Sequence, residues 1–206
     1  MDLLVCGSAP CLFVDLERAK KLAGRYEVML VNGACVAVED AQHVLAGHMS
    51  KAEEFARARE NAFPFALPWR LHATRLVRRE PEYKKYPSVT DWWGPEMSSG
   101  ATSAGKASLI GLAMGFDRVV WCGCPLEGTG YFPGESQIGA EIKHEAACQR
   151  IGDPTKQQAS IIRGYKRKLE ELAQTTFKGR VFSMSGYSRK VLGHPCESGV
   201  STALAG

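Results

Sequence analysis

Residues 98–108 read SSGATSAGKAS. Within them Gly100, four intervening residues, Gly105 and Lys106 satisfy all but the last letter of the phosphate-binding pattern G-x-x-x-x-G-K-[ST]. In that pattern the glycine-rich backbone cradles phosphates, the lysine neutralises them and the final hydroxyl holds magnesium. Here the hydroxyl position is Ala107. Such a loop follows directly on a strand, and Asp91-Trp92-Trp93-Gly94-Pro95 makes a poor one. The composition therefore predicts another use of the stretch: Ser98 or Ser99 as the N-cap of a helix running to about Met114. The hydroxyls and free backbone N–H groups of Ser98-Ser99-Gly100 would then face an anion at the positive end of the dipole. An ordinary cap with a glycine for packing fits the same spacing.

Three other stretches sit where ligands bind in α/β proteins. Gly7-Ser8-Ala9-Pro10 follows the first strand-like run, and a glycine there lets a ligand approach the backbone; it is not G-x-G-x-x-G. Asn32-Gly33 follows the second run, where the Asn32 amide could bond hydroxyls or a base edge, or simply make a turn. His48, in AGHMSK after the third, is a possible ligand contact or a helix-entry residue. Trp92 and Trp93 could wall a sugar or base, or pack as core. Cys122-Gly123-Cys124 is the only close cysteine pair, and no second Cys/His pair with zinc spacing follows, so it reads as buried thiols at a strand end. No Asp-x-Asp motif offers paired carboxylates to a divalent ion, and the metal expectation is none.

These positions need a scaffold. The chain has 206 residues, 45% of them hydrophobic and 23% charged, enough to bury one core. No apolar run reaches the ~18 residues of a membrane span, and the N-terminal run lacks a basic n-region and a cleavage site. Seven cysteines without a regular framework predict a reduced, cytoplasmic protein. The net charge of +4 mildly favours anionic ligands. Strands are predicted at 2–6, 27–31, 43–46, 63–67, 70–76, 118–122 and 180–184. Helices are predicted at 13–23 with Phe13, Leu16 and Ala19 inward, from Ser50 to Glu60 with a Glu53 capping box, at 98–114, 138–150, 155–174 and 187–192. Strand–helix alternation predicts an α/β fold: a single Rossmann-like domain over 1–196, a mostly parallel sheet with helices on both faces, and a C-terminal tail over 197–206. Ligands in such sheets bind at the carboxyl ends of the strands.

LLVCGSAP followed by a helix, VMLVNGACVAVED, and SSGATSAGKASLIGLAMGFDRVVWCGCPL together resemble the core of the bacterial sialyltransferases of glycosyltransferase family 42. They also resemble the related domain of unknown function 115 and the MptE-like pterin diphosphokinases. The resemblance covers most of the chain in order and implies a nucleotide-binding Rossmann-like domain. By it, Gly7, Ser8 and Ala9 border the phosphates, Asn32 bonds ribose or base, and Ser99, Gly100 and Thr102 hold phosphate or base. Tyr131 stabilises the departing phosphate and His144 is the general base toward an acceptor hydroxyl, a task suited to its near-neutral pKa. The acidic residue such a protein carries after the glycine of the 118–122 strand is missing. The sequence reads Cys124-Pro125-Leu126-Glu127, so only Glu127 can substitute.

Three functions follow as expectations. The first is metal-independent glycosyl transfer from a nucleotide sugar, a cytidine one, with no cofactor and with the acceptor open between a glycan and DNA. The second is MptE-like pyrophosphoryl transfer to a pterin or nucleoside, which needs Mg2+ and carboxylates such as Asp91, Glu127 or Glu135. The third is a non-catalytic nucleotide- or DNA-binding module, phage-encoded in one version. Its footprint would be Arg75, Arg78, Arg79, Lys84, Lys85, Arg163, Lys166, Arg167 and Lys168. A homo-oligomer is compatible with each.

Overall fold

The computed structural model describes residues 1–74, 84–100, 102–126 and 154–196, the side chains from 163 onward in the last segment. Among the described residues seven strands form one sheet in which every neighbouring pair is parallel: β1 (Asp2–Cys6), β2 (Tyr26–Val31), β3 (His43–Ala46), β4 (Arg70–Thr74), β5 (Asp91–Trp93), β6 (Arg118–Cys122) and β7 (Val181–Ser183). Their order is β5-β4-β3-β2-β1-β6-β7. The chain winds outward from β1 to β5 and then returns to the other side of β1. The winding direction thus reverses between β1 and β6, the crevice position of a doubly wound, Rossmann-like α/β fold.

Both faces of the sheet are covered, which is why its central strands read as continuous apolar runs. On one face α1 (Leu12–Leu22) and α2 (Ala52–Ala62) bury Leu12, Leu16, Ala19, Phe55 and Ala56 against Leu4, Cys6, Leu30 and Val44. On the other, α3 (Ser103–Ala113) and α4 (Pro154–Gln174) bury Ala107, Ile110, Leu169 and Leu172 against Leu3, Val5, Met29 and Leu45. A short α5 (Gly186–Leu192) closes the β7 edge.

Four expectations change. Residues 63–67 are not a strand: Pro64 and Pro68 remove ladder donors, Phe65 and Leu67 stand 93% and 74% exposed, and the Ala66 N–H turns back to the Phe63 carbonyl. Asp91–Trp93 is one: it is a three-residue edge strand stopped by Gly94-Pro95, and it pairs Trp92 with Ala73. The inward face of α1 begins at Leu12, with Phe13 44% exposed. Ser50 caps nothing. It lies in a 3₁₀ turn before α2, and Glu53 instead receives the Ser88 N–H at 2.9 Å and the Ser88 hydroxyl at 2.6 Å. The expected helix over 138–150 and the tail over 197–206 lie outside the described residues.

Two buried polar features hold the β2–β5 half together. Arg59, fully buried, donates four hydrogen bonds to the carbonyls of Cys35, Val38, Glu39 and Ala41 at 2.8–3.1 Å, fastening the β2–β3 connection to α2. Across the sheet, His43 lies 2.7 Å from Glu27 and 2.9 Å from His72, and the Trp93 indole N–H donates to His72 at 3.0 Å. Burial first, then the neighbouring His43, lowers the His72 pKa to about 4.

That depression makes a stability prediction. An unfolded histidine takes its proton near pH 6.5, whereas folded His72 resists until about pH 4. The His72 contribution is intact above pH 6.5 and is lost as pH falls toward 4, by about 3 kcal/mol. Urea unfolding at pH 7, 6, 5 and 4 is expected to show this loss in the wild type and a flatter profile in His72→Gln.

Candidate nucleotide site at the carboxyl edge

The near-P-loop of residues 100–107 is resolved by packing. Gly100 ends a 3₁₀ turn (Pro95–Gly100), and its backbone touches that of Gly105 in the first turn of α3: a Cβ on Gly105 would stand 1.8 Å from the Gly100 oxygen, and one on Gly100 2.3 Å from the Gly105 carbonyl carbon. The two glycines are spent on each other, so the backbone faces they share are closed to a phosphate. Ala107 is fully buried against the sheet. Gly111 lets α3 settle onto Leu3, and the Trp121 indole donates to Ser108 at 2.7 Å.

The helix start lies further on than the sequence predicts. Thr102 is the N-cap, its hydroxyl accepting the Gly105 N–H at 2.9 Å. Ser98 and Ser99 belong to the 3₁₀ turn, and the Ser99 hydroxyl donates to the Glu96 carbonyl at 2.8 Å. The Ser98 hydroxyl is buried without a hydrogen-bond partner among the described residues. The residue brought to the edge is Ser103, which sequence reasoning missed beside three neighbouring hydroxyl residues.

Asn32 stands at the centre of the edge. It adopts a left-handed backbone (φ 53°), a conformation asparagine tolerates better than most residues. Its side-chain amide donates to the Ser103 hydroxyl at 2.9 Å, and its side-chain oxygen accepts the Gly47 N–H at 2.7 Å. Lys106 donates to the Gly47 carbonyl at 3.2 Å. Burial lowers the Lys106 pKa, and no described carboxylate pairs with it. The ends of β2 and β3 and the first turn of α3 therefore meet in one polar cluster, Asn32–Gly47–Ser103–Lys106. It carries one ammonium and spare hydrogen-bonding capacity on an amide and a hydroxyl. His48, exposed, is next in chain to Gly47 at the rim.

At the crevice between β1 and β6, Gly7, Ser8 and Ala9 form the expected turn. The N–H groups of Gly7 and Ala9 donate to the carbonyls of Cys122 and Gly123 at 2.9 and 3.1 Å. A Cβ on Gly7 would meet the Cys124 sulfur at 2.5 Å and the Gly123 oxygen at 2.6 Å. The close approach this glycine permits is thus made by the β6 turn. An acidic residue does reach that turn, but from α1: buried Asp15 accepts the Gly123 N–H at 3.0 Å and the Ser185 hydroxyl at 2.6 Å. A hydrogen bond with the Cys6 thiol and then burial push the Cys122 pKa up, and burial does the same for Cys124, so both stay thiols; the six described cysteines are free.

Trp92 and Trp93 do not make one wall. Alternation on β5 sends Trp92 toward Tyr86 on the α1–α2 face and Trp93 toward His72 on the other. Glu127, Tyr131, Glu135 and His144 lie outside the described residues, as do Arg75, Arg78 and Arg79. Of the remaining basic residues, Lys166 sits 4.2 Å over the Tyr187 ring and Lys168 pairs with Glu171. Among the described residues no group of three or more His, Cys, Asp or Glu could hold a metal ion, and no helix is long and apolar enough to cross a membrane.

This fold is shared with bacterial sialyltransferases. The chain matches the sialyltransferase CST-II in complex with a trisaccharide acceptor and CMP at a TM-score of 0.62 and 10% identity, covering 95% of this chain and 86% of that one. It matches the monofunctional alpha-2,3-sialyltransferase Cst-I from Campylobacter jejuni at 0.61 and 13%, covering 94% and 80%. It matches Campylobacter jejuni CstII with the substrate analogue CMP-3FNeuAc at 0.57 and 10%, covering 93% and 82%. No family model matches the chain, and no curated protein does.

Proposed function

We propose that this protein is a glycosyltransferase of the sialyltransferase type, taking its sugar from a cytidine nucleotide without a metal ion. The observation that carries the reading is the Asn32–Gly47–Ser103–Lys106 cluster at the carboxyl edge of the sheet, in a fold whose neighbours include proteins solved with CMP and CMP-3FNeuAc. In this reading the cluster holds the nucleotide. The Asn32 amide and Ser103 hydroxyl bond ribose, base or phosphate, and Lys106 supplies positive charge toward the phosphate. His48 contacts the sugar or acceptor from the rim. Gly7, Ser8 and Ala9 border the nucleotide across the crevice.

The chemistry falls to Tyr131 and His144, with Glu127 near the nucleotide. His144 takes the proton of the acceptor hydroxyl as its oxygen attacks the sugar. Tyr131 donates a hydrogen bond to the departing phosphate, replacing the charge stabilisation a metal would give. The glycan acceptor is part of the proposal.

Two measurements test it. Transfer from CMP-sialic acid to a galactose-terminated glycan, in EDTA, is expected with the wild type and reduced at least about a hundredfold in His144→Ala. Transfer that requires Mg2+, or none to any acceptor alongside tight ATP binding in Mg2+, would overturn it in favour of pyrophosphoryl transfer. Asn32→Gly keeps the left-handed backbone and removes both side-chain bonds, so it is expected to cost about 2 kcal/mol of stability and to weaken CMP binding about tenfold or more. Calorimetry and urea unfolding read the two effects separately.

A further inference from the structure

The polar chain across β2–β5 has only one consistent arrangement of its protons. Indole N–H can only donate, so the His72 Nδ1 that faces Trp93 at 3.0 Å must accept. Neutral His72 then carries its hydrogen on Nε2 and donates to His43 Nδ1 at 2.9 Å. Neutral His43 carries its own on Nε2 and donates to the Glu27 carboxylate at 2.7 Å. His43 is 4% exposed, His72 0%, and Glu27, 34% exposed, is the end that reaches water. All three bonds point the same way.

We propose that His43 and His72 are positioning residues: locked in one tautomer between Glu27 and Trp93, they hold the indole and the end of β5 from which the chain enters the 3₁₀ turn and α3, and one added proton undoes the lock. β5 has three residues and, among the described residues, pairs with β4 alone; Thr90 on Leu71 and Arg70 on Asp91 tie its start, and the Trp93–His72 bond ties its end. From Trp93 the chain passes through Gly94 and the Pro95–Gly100 turn, which packs on Gly105, to Thr102 and Ser103. A shift at Trp93 is therefore delivered to the carboxyl edge.

The release follows from counting donors. A proton on His72 Nδ1 sets one N–H against the indole N–H. A proton on His43 Nδ1 opposes the His72 N–H, and moving that hydrogen to Nδ1 again evicts Trp93. Among the described residues the groups facing the rings are few. Glu27 on β2 bonds His43. Asp91 on β5 stands 3.9 Å from His72 and favours its protonation, but is engaged by Arg70 and Thr90. Arg70 on β4 opposes protonation, and the Phe116 ring lies edge-on to His43.

Nitrogen-15 NMR of ring-labelled histidine and tryptophan tests this without any nucleotide, so its failure is separate from that of the proposed transferase. At pH 7 both rings are expected neutral with hydrogen on Nε2. On titration toward pH 4 the Trp93 indole signal, assigned with Trp93→Phe, should shift with the His72 midpoint while the Trp121 indole, bonded to Ser108, stays fixed. His72→Gln offers a carbonyl to the indole and an N–H to His43 without titrating, and should hold the Trp93 signal unchanged over the same range. Hydrogen on Nδ1 of His72 at pH 7, Trp93 and Trp121 shifting together, or loss of the Trp93 signal at the wild-type pH in His72→Gln would each overturn the proposal.

Discussion

Arg59→Met is expected to destabilise the protein by about 4 kcal/mol, read as a fall in the urea midpoint at unchanged slope. The side chain is fully buried, and its guanidinium donates to four carbonyls, those of Cys35, Val38, Glu39 and Ala41. Methionine fills most of the space and restores none of those donors, so several buried acceptors lose their partner at about 1–3 kcal/mol each, offset where water enters. Phe63 and Trp69 also lie against the guanidinium, at 5.4 and 5.5 Å. Arg59→Lys should recover only a small part, since one ammonium cannot span four carbonyls. A loss below about 1 kcal/mol would mean that the β2–β3 connection holds its shape unaided.

Gly105→Ala is expected to cost about 3 kcal/mol or more, although alanine is the better helix former. The methyl group would lie 1.8 Å from the Gly100 carbonyl oxygen, and both partners are backbone, which cannot turn aside as a side chain can. The 3₁₀ turn would be pushed off α3, and Thr102 and Ser103 with it. CMP binding should therefore fall together with stability. Gly164→Ala is the contrasting control. That glycine lies within α4 with nothing within 4 Å of the added methyl, and the substitution should stabilise by about 0.5–1 kcal/mol. Differential scanning calorimetry of the two variants separates crowding from helix propensity. Equal effects would remove the packing account of the near-P-loop.

The elements legible in the sequence are those whose signal is local. Asp2–Cys6, His43–Ala46 and Arg118–Cys122 are apolar runs bounded by turn residues, and the strands end where the runs do. β5 was hidden because it has three residues, ends at Gly94-Pro95 and gains its place from pairing with β4. The α3 start was misplaced because Ser98, Ser99, Thr102 and Ser103 are all capable caps; the choice among them is made by the Gly100–Gly105 contact, which spacing does not display. Asn32 was legible as a carboxyl-edge residue, but its partners Gly47 and Ser103 come from other elements, 15 and 71 residues away. Arg59, His43 and His72 carry no sequence signal at all: each reads as an isolated polar residue until the sheet brings its partners across.

The most direct test of the central claim is isothermal titration of CMP into the full chain in EDTA, repeated with Ser103→Ala. Binding by the wild type, weakened about tenfold or more by loss of that one hydroxyl, is the predicted result. No binding by the wild type, or binding that Ser103→Ala leaves unchanged, would contradict the assignment of the Asn32–Gly47–Ser103–Lys106 cluster as the nucleotide site.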